Sequence, residues 1–242
     1  TGDNDNVRIS TIEHLMSALH SMQIDNVLIE LDGGEVPILD GSARPWLQHL
    51  QRVGVIQQDL PKRVMTFDEP LHFEFPETGS VYDMEPSDHF SVDCVIDFAG
   101  TVIGRQEAEM HDFTSYASEI APCRTFVFLH EIEPLLHLNL IKGGSLDNAL
   151  VFVNQEPSPR LLRRLGHKLH KDPSTFRVHD GMINTTDRYF DNEPARHKLL
   201  DFVGDIRLVG LPPVAHFSIY KPGHKANTAF ARFLMDYYNN KH

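Results

Sequence analysis

His197 and Asp201 stand four residues apart in the stretch Glu193-Pro-Ala-Arg-His-Lys-Leu-Leu-Asp201. On a helix that spacing projects both side chains from one face. An imidazole and a carboxylate one turn apart can hold a metal ion, and zinc accepts both ligand types. A catalytic zinc site takes three protein ligands and keeps a further position for water or substrate. The pair therefore needs a third ligand and a base from elsewhere in the chain; without them it reads as solvated surface. The stretch carries the marks of a helix. Asn192 or Asp191 can cap it, and Pro194 falls in the first turn, where a missing N–H costs little. Leu199, Leu200, Phe202 and Val203 lie on the other side and read as the packing face, with His197 and Asp201 turned away from it.

A second histidine with an acidic neighbour opens an amphipathic segment near the start of the chain. Ser10, followed three residues later by Glu13, has the spacing of a capping box. Ile12, Leu15, Met16, Leu19 and Met22 then recur at helical intervals, and Glu13 and His14 sit off that stripe. The residues leave two readings open: a capping glutamate beside a surface histidine, or a base beside a metal ligand.

The elements that must position these groups follow from the pattern. Asn26–Leu31 is a predicted strand before the turn Asp32-Gly33-Gly34, and Pro45–Val53 is a predicted helix ending near Gly54. Leu60-Pro61-Lys62-Arg63 interrupts the pattern and marks a boundary, giving residues 1–61 and 62–242 as two units. Strands are predicted at Arg63–Phe67, Leu71–Phe75, Ser80–Glu85 and Phe90–Phe98, the last with partial alternation of one buried face. A helix over Thr114–Ala121 stops before Pro122. A strand at Arg124–Leu129, a helix over Glu131–Leu140, a turn at Gly143-Gly144-Ser145 and a strand at Leu150–Val153 come next. Pro157–Lys171 is basic and reads as a solvated amphipathic helix with Leu161, Leu162 and Leu165 inward. Val214–Tyr220 is a strand, and Pro222-Gly223-His224 turns into a final helix.

Composition bounds the function. The chain has 242 residues, 41% of them hydrophobic, which suits a packed core. With 22 basic and 34 acidic residues the formal charge is −12, the wrong balance for a nucleic-acid partner. The two cysteines, Cys94 and Cys123, have no metal spacing and make no disulfide framework, which fits a reducing, cytoplasmic setting. No apolar run reaches membrane-spanning length.

Taken in order, Thr11-Ile-Glu-His14, Gly143-Gly-Ser-Leu-Asp-Asn148, Arg196-His-Lys-Leu-Leu-Asp201 with Gly204-Asp205, and Lys221-Pro-Gly-His224 resemble the UDP-3-O-acyl-N-acetylglucosamine deacetylases, the zinc amidases of lipid A synthesis. Val36-Pro-Ile-Leu-Asp-Gly-Ser42 and Arg124-Thr-Phe126 are also similar to that family, and the resemblance runs from about Val7 to Phe233. It implies that His14, His197 and Asp201 bind Zn2+ and that Glu13 is the general base acting on a zinc-activated water. Thr125 would stabilise the oxyanion, His224 would serve as the second acid/base group, and Asp205 would orient it. Lys198 and Lys221 match family lysines near the substrate and its diphosphate, and Asp97-Phe98 and Phe126 match substrate contacts. Leu129, Ile132, Leu140, Leu146 and Ala149 fall in a segment similar to the family's inserted β-α-β unit, at about 129–153, which encloses the acyl chain.

The resemblance also sets the expected architecture: α+β, two similar halves, each a β-sheet with helices on one face, the helices packed between the two sheets and the metal at the cleft. Three departures accompany it. The family's N-terminal strands are absent before Thr1, so the first half is expected to lack much of its sheet. Residues 154–184 are longer than in the commonest members and resemble the variant fused to a hydroxyacyl-carrier-protein dehydratase, so a second enzyme is expected beyond the C-terminus. Ala121-Pro-Cys precedes Arg124 with no assigned role. Two further functions stay open: an inactive or structural metal-binding relative, and a zinc amidase acting on another acylated sugar.

Overall fold

A computed structural model describes residues 8–132, 146, 148–169, 171–183 and 187–241. Leu140, the turn at 143–145 and most of the helix expected over 131–140 lie outside the described residues. The protein is mixed α+β with two sheets. The larger sheet has five strands: β1 (Leu71–Phe75), β2 (Ser80–Pro86), β3 (Ser91–Phe98), β4 (Gly104–Met110) and β9 (Ala215–Tyr220). Their spatial order is β1-β2-β9-β3-β4, with every neighbouring pair antiparallel except β3 and β9. Period-two alternation sends Tyr82 and Met84, Val92, Cys94 and Ile96, Ala108 and Met110, and Phe217 and Ile219 to one buried face.

Helices cover that face. α5 (Glu193–Asp205) packs on β3 and β4, and α6 (His224–Lys241) packs on β1 and against α5. α1 (Glu13–Ser21) lies on the other side of α5, with α2 (Arg44–Val53) beside α1. Sandwiched in this way, α5 is buried on all sides apart from Arg196 and Lys198. The expectation that His197 and Asp201 face away from the packing is therefore corrected: each is 1% exposed, because α1 covers their face.

A smaller four-stranded sheet has the order β5-β6-β8-β7, from β5 (Phe126–Phe128), β6 (Leu150–Phe152), β7 (Val178–His179) and β8 (Met182–Ile183). β5 and β6 run parallel, which demands a crossover between them, and residues 129–132 are helical. The helix α4 (Pro159–Leu169) closes a second apolar cluster of Leu129, Ile132, Leu146, Val151, Val153, Leu165, Phe176 and Ile183. Its Leu165 is buried while Leu161 and Leu162 are partly so, as expected.

Four local expectations fail or contract. The capping box does not form: Ile12 is the N-cap of α1, with no side-chain cap. Ser10 instead pairs with the 34–36 backbone, its hydroxyl donating to the Gly34 carbonyl, and Thr11 Oγ1 donates to Glu35. Residues 26–31 form no strand among the described residues, and Val27, Leu28 and Ile29 are exposed; an apolar run alone cannot make a strand without a hydrogen-bonded neighbour. Arg63–Phe67 contracts to one bridge, Met65 to Pro213. The helix over Thr114–Ala121 is shorter than expected, α3 spanning Tyr116–Glu119.

His20, buried at the end of α1, donates through Nδ1 to the Val203 carbonyl at 2.9 Å and packs on Phe90 and Phe113. Burial pulls its pKa from 6.5 down to about 3. The unfolded chain thus binds a proton that the folded chain refuses. Stability is complete above 6.5 and falls as pH drops toward 3, by ~1.4 kcal/mol per unit at most. Chemical denaturation between pH 7 and 4 should show this slope, and His20→Asn, which keeps a donor for Val203, should flatten it. An unchanged slope in His20→Asn assigns the acid sensitivity elsewhere.

Candidate metal centre and active site

Gly204 lets α1 and α5 meet backbone to backbone. A Cβ there would lie 2.2 Å from the Glu13 carbonyl oxygen, so a hydrogen is all the space admits. The close approach sets the first turn of α1, with Glu13 and His14, over the α5 face that carries His197, Asp201 and Asp205. His14 Nε2 lies 3.9 Å and His197 Nε2 3.3 Å from Asp201 Oδ1. One ligand atom from each of the three residues falls within 4.8 Å of the others, and all three side chains are buried. Bonds of ~2.0–2.1 Å in a tetrahedral site put ligand atoms roughly 3.3 Å apart; the His197–Asp201 separation of 3.3 Å matches this and the His14–Asp201 separation of 3.9 Å is somewhat longer.

The hydrogen bonding fits a cation as well. His197 Nδ1 donates to the Cys123 carbonyl at 2.9 Å, which makes Nε2 the nitrogen that faces Asp201. Asp201 Oδ2 accepts from Lys198 Nζ at 2.9 Å, but its Oδ1 is buried without a hydrogen-bond partner, as is His14 Nδ1. An orphaned carboxylate oxygen facing two imidazole nitrogens is costly unless a positive charge joins them. Burial, with His197 nearby, drives the His14 pKa down to about 3, so its imidazole is neutral and able to ligate. Burial opposes charge on Asp201, yet His197 and Lys198 outweigh it and hold the carboxyl well below its usual range.

Glu13 and His224 lie near the three candidate ligands. Glu13 is half-buried, and burial, then Asp201, raises its carboxyl. His224 opens α6, with Nε2 at 3.9 Å from Asp201 Oδ2 and Nδ1 donating to Asp205 Oδ2 at 2.9 Å. That hydrogen bond raises the imidazole to about 9, outweighing the partial desolvation of a ring whose side chain is half exposed. Lys198, where burial works against the charge, is raised by Asp201. Its ammonium lies 5.4 Å from the Phe126 ring centroid, and Phe126 meets Phe98 edge-on at 5.6 Å. Asp97 accepts from Tyr220 OH at 2.8 Å and lies 3.8 Å from Lys221 Nζ. Leu129, Ile132 and Leu146 sit inside the second apolar cluster, and Ala149 precedes β6. A pocket of about 630 Å3 opens elsewhere, lined by Asp93, Glu107, Glu109, Arg196, Ser218 and Tyr220 among others, and none of the three ligands borders it.

Thr125 is held by a turn whose role the sequence left blank. Gly41, at φ +80°, lies so close to Asn148 that a Cβ would overlap its carbonyl oxygen, and the Gly41 carbonyl accepts from Thr125 N at 2.7 Å. Sequence reasoning also missed the Arg124–Glu193 pair. Glu193 Oε1 accepts from both the backbone N and Nε of Arg124 at 3.0 Å, and both side chains are buried. A glutamate and an arginine in separate motifs gave no sign of pairing across 69 residues.

The sequence matches the family described as "LpxC: UDP-3-O-acyl N-acetylglycosamine deacetylase" over residues 2–165 and 175–236. The chain belongs to this family. It is 37% identical to the bifunctional enzyme LpxC/FabZ of Chlorobaculum tepidum over 96% of this chain and 50% of that protein. With the bifunctional enzyme LpxC/FabZ of Porphyromonas gingivalis it shares 40% identity, over 94% and 49%. With the UDP-3-O-acyl-N-acetylglucosamine deacetylase of Acidithiobacillus ferrooxidans it shares 39%, over 95% and 67%. The chain thus spans about half the length of the bifunctional relatives it matches. The expected resemblance to the fused LpxC variant is borne out, and the break in the match at 166–174 falls within the segment read as longer than usual. Among the described residues no helix is long and apolar enough to cross a membrane.

Proposed function

We propose that the protein is a zinc-dependent deacetylase that hydrolyses the N-acetyl group of UDP-3-O-acyl-N-acetylglucosamine, the committed step of lipid A biosynthesis, in the cytoplasm. The observation that carries this reading is the meeting of His14, His197 and Asp201, with the His224–Asp205 pair beside Asp201 and Glu13 within electrostatic reach of Asp201, His224 and Asp205. His14, His197 and Asp201 would hold the zinc, which when bound makes water acidic enough to ionise near neutral pH and polarises a carbonyl. Glu13 takes a proton from the attacking water. Its raised affinity for protons suits a base that must accept one. His224, kept charged by Asp205, gives a proton to the departing amine. Thr125 donates its hydroxyl to the oxygen that gains charge, and Lys198 adds a positive charge beside Asp201. Acetate and a free amine result.

Substrate contacts extend the same reading. Asp97 and Phe98 meet the nucleotide, Lys221 meets the diphosphate, and Phe126 adds a further substrate contact. Leu129, Ile132, Leu146 and Ala149 form the acyl passage, Leu140 of the expected set lying outside the described residues. The two-halves architecture also belongs to it, with a boundary at 60–63 and helices between the sheets. The packing of α1 on α5 supports that layer.

Purified protein should contain one zinc and release acetate from UDP-3-O-acyl-N-acetylglucosamine. His197→Ala should lose most of its zinc, because two ligands make a poor site. A fully loaded His197→Ala protein overturns the ligand assignment. Zinc without acetate release favours the structural-relative reading instead.

A further inference from the structure

We propose that Asn227 and Tyr82 are positioning residues that fix Asp205, and through it His224; the proposal rests on the deacetylase reading above. A line of hydrogen bonds runs from the sheet core to the site. Tyr82 OH donates to Asn227 Oδ1 at 2.6 Å, and Asn227 Nδ2 donates to Asp205 Oδ2 at 2.8 Å. His224 Nδ1 donates to the same oxygen at 2.9 Å. His224 and Asn227 are three apart on the first turn of α6, so one helix face grips one carboxylate oxygen twice.

Each link is forced by the next. The amide of Asn227 has one tolerable orientation, because turned over it would aim its oxygen at a carboxylate. Its oxygen therefore faces Tyr82, which must donate. Tyr82 is fully buried on β2 and stacks on Phe230 at 4.7 Å, so its hydroxyl has a fixed place. Asn227 is fully buried as well. His224 is different: half its side chain, 51%, faces solvent. Packing does little to hold that ring, and the bond to Asp205 carries the task. With Asn227 removed, Asp205 Oδ2 keeps one donor and the carboxylate can turn, taking the imidazole with it. Outer partners of this kind typically change activity by ~10–100-fold.

The test uses the full chain, zinc-loaded, as Tyr82→Phe, Asn227→Leu and the double variant. Acetate release gives kcat and KM, metal analysis gives zinc content, and 15N-histidine NMR reports the His224 Nδ1–H resonance, assigned by its loss in His224→Gln. Asn227→Leu should lower kcat by ~10–100-fold with KM and zinc little changed, and should broaden or shift that resonance. Tyr82→Phe, which keeps the aromatic core, should do the same more weakly. The double variant should be no slower than Asn227→Leu, since Tyr82 acts through Asn227. An unaltered Nδ1–H resonance and kcat in folded Asn227→Leu, with a lowered melting temperature alone, overturn the proposal, as do multiplicative losses in the double variant. If the parent protein releases no acetate, the deacetylase reading falls, and the NMR arm still decides whether Asn227 sets His224.

Discussion

Glu13→Gln is expected to slow deacetylation by ~10²–10⁴-fold, the scale of a positioned acid/base group, while zinc content stays at the parent value. The geometry separates this outcome from a structural one. Glu13 is not a capping residue, since Ile12 takes the N-cap and no side chain caps α1. Its structural contribution reduces to a negative charge in the first helical turn, worth roughly 0.3–1 kcal/mol. Burial of that charge works against even this, as the raised carboxyl shows. Glutamine has nearly the same shape and loses the charge, so the melting temperature should move little or rise. Single-turnover rates on zinc-loaded protein, measured beside thermal unfolding, decide the matter. A Glu13→Gln protein that turns over at the parent rate assigns the base elsewhere, and His224 becomes the first alternative.

The parts of this site that the sequence made legible are the ones encoded locally. His197 and Asp201 share a helix face through their spacing alone, and the resemblance then brought in His14, Glu13, His224 and Asp205. What the chain did not disclose is which surfaces meet. His197 and Asp201 looked solvated because nothing in α5 announces that α1 will cover them, and Gly204, which permits that contact, is an ordinary glycine in the sequence. Local signals lost wherever tertiary pairing was stronger. Ser10 and Glu13 had capping-box spacing, yet Ser10 is drawn into pairing with residues 34–36. β4 was missed for another reason. As a sheet edge it buries one face, Ala108 and Met110, and exposes Arg105, Glu107 and Glu109, so it reads as polar. Charged edges of this kind discourage pairing with other chains. The strand expected at 26–31 shows the converse: an apolar pattern does not make a strand until a neighbour accepts its hydrogen bonds.

Glu193→Ala is expected to destabilise the protein by ~3–5 kcal/mol, the usual cost of stripping one partner from a buried ion pair. At ~2–4 °C per kcal/mol for a chain of this size, the melting temperature should fall by about 10 °C. The reason is the number of bonds one carboxylate serves. Glu193 Oε1 takes the backbone N and Nε of Arg124, and Oε2 takes Tyr189 N at 2.7 Å and Arg124 Nη2 at 3.3 Å. Without it, a buried guanidinium keeps the Asp187 carbonyl at 2.7 Å but no opposite charge among these contacts. The pair also fixes the backbone beside the site. Cys123, whose carbonyl receives His197 Nδ1, precedes Arg124, and Thr125 follows it. A double variant, Arg124→Met with Glu193→Leu, separates the two roles. Replacing both charges by apolar groups should return much of the lost stability. It should not restore the anchored backbone, so zinc affinity should remain ~10–100-fold weaker than in the parent, as for other lost supports of a ligating histidine. Competition with a chelator measures that affinity and calorimetry the stability. If the double variant regains parent zinc affinity along with its melting temperature, the pair serves the fold alone, and the Cys123 carbonyl is held by something else.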